Sequence, residues 1–68
     1  MDQKAMGKRI RYARRMLDLT QEQLAELAEV STSFVGHIER GTRVPSAETL
    51  YKLCKAVEIT MEYAIAGE

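Results

Sequence analysis

Six cationic side chains, Lys4, Lys8, Arg9, Arg11, Arg14 and Arg15, fall within residues 4–15 with no acid among them. Arg40 and Arg43 stand on either side of Gly41 and Thr42. Clustered cations either solvate a helix surface or neutralise the phosphates of a polyanion. The whole chain balances 10 Lys and Arg against 10 Asp and Glu. An anionic partner would therefore meet one basic face, with most acids (Asp18, Glu22, Glu26, Glu29, Glu48, Glu58, Glu62 and Glu68) placed elsewhere.

Other chemistry is thinly provided for. The chain has one histidine, His37, and one cysteine, Cys54. Together they make neither an internal disulfide nor a structural zinc site. There is no nucleophile–histidine–acid set and no glycine-rich phosphate loop, and 68 residues leave little room for a substrate cleft. An enzyme is not expected, nor a metal or other cofactor. No apolar run approaches the ~18 residues of a membrane span, and the N-terminus lacks a signal core. With the lone cysteine, these features predict a soluble protein of the reducing cytoplasm.

These side chains must be positioned by helices. β-branched alternation is absent and Gly and Pro are few, so the pattern is all-α, one domain over residues 1–68. A domain this small buries only about 60% of its unfolded surface. Five helices are expected, at about residues 4–17, 20–28, 32–40, 46–57 and 60–66. In the first, Met6, Ile10, Ala13 and Leu17 share a face, opposite Lys8, Arg11 and Arg15. Arg14 lies at the edge of that stripe, where its stem can be buried and its head can seek a carboxylate. Thr20 and Gln23 form a capping box before Leu24, Leu27 and Ala28.

Ser31 caps the third helix, Val35 and Ile38 point inward, and Gly41 ends it. After Pro45, Ser46 caps a helix with Leu50, Leu53, Cys54 and Val57 at helical spacing, making Cys54 a small core residue. Thr60 caps a last short helix, with Met61, Ala64 and Ile65 inward. Tyr12, Tyr51 and Tyr63 are expected at the surface or an interface. Helices this short are held by mutual packing. Helices two and three, joined by a tight turn between Ala28 and Ser31, describe a helix-turn-helix. Ala25 supplies the small residue where they approach, and Val30 the apolar residue in the turn.

The wording of this segment goes further. Leu19-Thr20-Gln21-Glu22-Gln23-Leu24-Ala25, Val30-Ser31, Ile38-Glu39-Arg40-Gly41, Pro45-Ser46 and Thr49-Leu50 resemble the lambda-repressor-like, or Cro-type (XRE), helix-turn-helix family. The resemblance runs from about Gly7 to Ala66. It implies a compact five-helix domain that binds operator DNA as a dimer, with the third helix in the major groove. Residue by residue, it implies that Thr32, Ser33 and His37 read base edges, with Gly36 on the same face. Gln21 would bond a phosphate from the start of the second helix, beside Thr20. Arg14 and Glu39 match an internal ion pair. Arg40, Thr42 and Arg43, just after the recognition helix, are the further phosphate candidates, and Arg9 or Arg11 could also reach the backbone.

The reading set has no arginine. Hydroxyls discriminate bases poorly, and His37 would donate to guanine N7 or O6 less decisively than a bidentate arginine. Shape and dimer spacing would supply the rest of the specificity. Glu29 and Glu58 stand where the family favours glycine. A side chain in a left-handed turn costs roughly 1–2 kcal/mol, and Glu29 adds a negative charge beside the DNA-facing unit.

The expected function is that of a small sequence-specific regulator, most simply a repressor, acting as a homodimer on duplex DNA with an inverted repeat. The fifth helix and the loop before it, with Ile59, Met61, Tyr63 and Ile65, are the expected dimer surface. The alternative is a protein-interaction module, an antitoxin or anti-repressor partner that keeps the fold but binds protein, as the neutral net charge and weak reading set suggest.

Overall fold

The computed structural model describes residues 1–68 as five helices: α1 (Gln3–Met16), α2 (Gln21–Ala28), α3 (Thr32–Arg40), α4 (Ala47–Ala56) and α5 (Met61–Ala66). Every start has a side-chain cap. Thr20, Ser31, Ser46 and Thr60 each accept a hydrogen bond from the N–H three residues on, and Thr20 and Gln23 close the reciprocal capping box. Asp2 caps α1 in the same way, accepting from the Ala5 N–H at 3.0 Å, so that helix starts one residue earlier than its apolar pattern suggests. The Ala5 N–H bond, above all, holds the Asp2 carboxyl below its ordinary range.

The helices pack around one core. α1 and α2 both lie against α3, α4 lies against α2, and α5 closes over α1 and α4. Met6, Ile10, Leu24, Val35, Ile38 and Leu53 are its fully buried centre, with Cys54 and Ala64 beside them. Burial pushes the Cys54 thiol up to about 11.

Three residues expected inward are exposed. Leu17 is the C-cap of α1, past the last turn that packs. Leu27 is 57% exposed because Leu24, Ala25 and Ala28 define the buried arc of the short α2. At 100° per residue, Leu27 lies about 105° from the middle of that arc. Ile65 is exposed because α5 offers only Ala64 fully to the core, with Met61 half-buried.

Backbone approach fixes α1 against the end of α3. A Cβ on Gly7 would collide with the Ile38 carbonyl oxygen and come within 2.6 Å of that of Glu39. Only glycine admits this contact. Gly41, at φ 77°, ends α3 as a left-handed residue. Asp18, Glu29 and Glu58 take the same left-handed conformation at φ 56°, 60° and 62°, without the glycine that makes it easy.

Candidate nucleic-acid interface

The turn between α2 and α3 is set by main-chain bonds. The N–H groups of Glu29 and Val30 return to the Glu26 and Ala25 carbonyls. The N–H of Val35 bonds back to Ser31 across the start of α3. Glu29 fills the left-handed position, and its carboxylate accepts from the Lys52 ammonium on α4 at 2.8 Å. That bond lowers the Glu29 pKa and raises that of Lys52. The negative charge expected beside the DNA-facing unit is thus paired, and it faces α4.

α3 is locked to the rest by a buried ion pair. Arg14 Nε and Nη2 donate to the two Glu39 carboxylate oxygens at 2.7 and 3.0 Å. Arg14 Nη1 donates to the Leu19 carbonyl at 2.7 Å, just before α2. Gln21 Nε2 donates to Glu39 Oε1 at 3.1 Å. One guanidinium therefore joins α1, the entry to α2 and the end of α3. Both ion-pair partners are buried, and every buried side-chain polar atom has a partner.

Spacing at 100° per residue puts Thr32, Ser33, Gly36, His37 and Arg40 within an arc of about 140° on α3, opposite Val35 and Ile38. Thr32 and Ser33 are exposed in the first turn, with Ser33 Oγ 3.4 Å from Ser31 Oγ. His37 is half-buried. Gly36, expected on the same face, is buried. Arg40 folds back one turn, and its Nη1 stands 3.0 Å from where a Gly36 Cβ would be. An approaching surface meets that guanidinium before it meets Gly36. The outward face of α3 thus carries an arginine, reaching back from the last residue of the helix.

Thr42 turns back to the end of α3. Its N–H donates to the His37 carbonyl at 2.9 Å, and its hydroxyl donates to the same carbonyl at 3.1 Å. Both donors serve the helix end. Arg9 turns to α5. Its Nη1 donates to the Ala64 and Ile65 carbonyls at 3.1 and 3.4 Å, capping the end of α5. Arg43 remains exposed, its guanidinium 5.6 Å from the centre of the Phe34 ring.

Around the start of α2, Thr20 accepts from the Gln23 N–H and keeps its own hydroxyl hydrogen. The main-chain N–H groups of Gln21 and Glu22 have no main-chain partner. These donors and the positive end of the helix dipole make a cradle for an anion. The Arg14–Glu39 network fixes its position relative to α3.

The exposed Tyr12, Met16, Leu17 and Tyr63 border an open apolar depression of about 520 Å³ with Val57 and Ile59. Of the residues expected at a dimer surface, Ile59 and Tyr63 line this depression and Met61 and Ile65 do not; Tyr12, expected at the surface or an interface, lines it too, beside Leu17, which was expected inward.

Five capped helices with a tight turn between the second and third define a helix-turn-helix domain, with an outward third helix and free donors at the start of the second. The chain belongs to the helix-turn-helix family HTH_3, which matches residues 10–63. It is 36% identical over 62 residues to the HTH-type transcriptional regulator YazB of Bacillus subtilis, covering 91% of this chain and 90% of that one. It is 32% identical to repressor protein C2 of Salmonella phage P22, over all of this chain but 32% of the repressor.

Among solved structures, the P22 c2 repressor bound to a synthetic operator superposes with a TM-score of 0.89 at 33% identity, covering 93% of this chain and 96% of that one. The restriction-modification controller protein C.AhdI of Aeromonas hydrophila gives 0.87 at 36% identity, covering 94% and 97%. The fold is thus of the repressor type. No helix of the protein is long and apolar enough to cross a membrane.

Proposed function

We propose that this protein is a sequence-specific duplex-DNA-binding regulator of transcription, most simply a repressor that occludes a promoter. α3 lies in the major groove, presenting Thr32, Ser33, His37 and Arg40 to base edges. Thr20, Gln21 and the free N–H groups at the start of α2 hold one phosphate, and Arg43 another. The observation that carries this reading is the Arg14–Glu39–Gln21 network, which fixes the anion cradle of α2 against the outward face of α3. A phosphate anchor in fixed register with a reading helix is what groove recognition requires.

One helix reads only a few base pairs, so the regulator acts as a homodimer on an inverted repeat. The second copy covers Ile59, Met61, Tyr63 and Ile65, together with Tyr12, Met16 and Leu17 across the depression. The DNA-binding role places the protein in the cytoplasm and involves no catalysis or cofactor. The phage relative supports the repressor reading, since it is named as one and its domain has been solved on operator DNA.

Selection from a random duplex library at about 0.1 M salt tests the proposal. Enrichment of an inverted repeat is expected. Weak, salt-sensitive binding without enrichment, beside stoichiometric capture of a protein partner, would replace it with the protein-interaction reading.

A further inference from the structure

His37 and Thr42 form a closed pair whose hydrogens can be counted. Thr42 Oγ1 lies 2.8 Å from His37 Nδ1 and 3.1 Å from the His37 carbonyl oxygen. A hydroxyl carries one hydrogen and a carbonyl carries none. If the carbonyl contact takes the hydroxyl hydrogen, the ring contact is closed by a hydrogen on Nδ1. The main-chain N–H of Thr42, donating to the same carbonyl at 2.9 Å, holds the hydroxyl in place. His37 Nε2 makes no hydrogen bond, yet no buried side-chain polar atom lacks a partner, so Nε2 is open to solvent.

We propose that Thr42 sets the base preference of His37 by holding its neutral ring as the Nδ1–H tautomer, so that Nε2 faces the groove as an acceptor. A neutral His37 then reads an exocyclic amino group, adenine N6 or cytosine N4, and does not read guanine, whose major-groove edge offers only acceptors. The ordinary expectation for an unconstrained histidine, donation to guanine, is reversed. This inference rests on the reading that α3 enters the major groove. Thr42 acts through the ring and is a positioning residue.

The test has two arms, both at about pH 8, where an ordinary histidine is neutral. In the free protein, ¹⁵N NMR of the imidazole should show the hydrogen on Nδ1, and Thr42→Val, which keeps the side-chain shape but lacks the hydroxyl, should move it towards Nε2. On the selected duplex, the base pair facing His37 is located as the position whose preference vanishes in His37→Ala. The wild type should favour adenine or cytosine there by roughly tenfold over guanine. Thr42→Val should lose that preference while binding with unchanged response at the other positions. A ring hydrogen on Nε2 in the wild type, or a guanine preference at that pair, overturns the proposal. If the NMR arm gives Nδ1–H but no duplex is bound selectively, the DNA-reading function fails and the base preference fails with it. If selective binding persists with an Nε2–H ring, only the tautomer mechanism fails.

Discussion

Glu39 accepts three hydrogen bonds from two side chains while almost wholly buried. Removing one charge of such a pair strands the other in low dielectric, typically at a cost of about 3–5 kcal/mol. Glu39→Gln should therefore lower the unfolding free energy by about 3 kcal/mol in urea titration, a large share of what so small a domain holds. The double variant Arg14→Met with Glu39→Leu should recover much of that loss, because a buried pair is often replaceable by apolar groups. A loss below about 0.5 kcal/mol in Glu39→Gln would mean that the pair does not hold α3.

Glu58 at φ 62° bears the left-handed strain with no side-chain partner, so Glu58→Gly should stabilise by about 1 kcal/mol. At Glu29 the same change should gain less, since it also removes the bond to Lys52. The Cys54 thiol, raised to about 11 by burial, should react with thiol reagents at pH 8 only as fast as the domain unfolds, which denaturant-dependent labelling measures.

At the scale of elements, helix starts are legible because each cap is a residue type with one task. Thr20, Ser31, Ser46 and Thr60 all announce their helices. Periodicity was a weaker guide at helix ends, because it identifies residues that share a face without saying how wide a face the neighbours cover. Leu17, Leu27 and Ile65 are exposed for this reason. Long polar side chains were the least legible. Arg9 turns to the end of α5, Arg40 lies back over Gly36, and Thr42 closes on His37, and none of these directions follows from position in the chain.

The Glu29–Lys52 pair, which links the interhelical turn to α4, carries a pH prediction. The folded Glu29 pKa lies below its ordinary value near 4.5, so the pair contributes at neutral pH and is lost as pH falls through the folded value. Wild type and Lys52→Met should therefore differ slightly in urea midpoint at neutral pH and converge in acid. A gap that persists in acid would show that packing of the lysine stem, and not charge, accounts for the difference.

For the whole molecule, the start of α2 and the outward face of α3 carry donors, and a separate apolar depression is bordered by the end of α1, the loop before α5 and Tyr63. Tyr63→Glu should place a charge in that depression and abolish cooperative binding to paired half-sites, read by sedimentation and by binding titration, while leaving the fold intact because Tyr63 is exposed. The measurement closest to the central claim is methylation interference on the selected duplex. If α3 of each copy lies in the major groove, methylation at guanine N7 should block binding in two clusters about one helical turn apart, and minor-groove methylation at adenine N3 there should not. Interference from adenine N3 alone, or from neither position, would contradict the account.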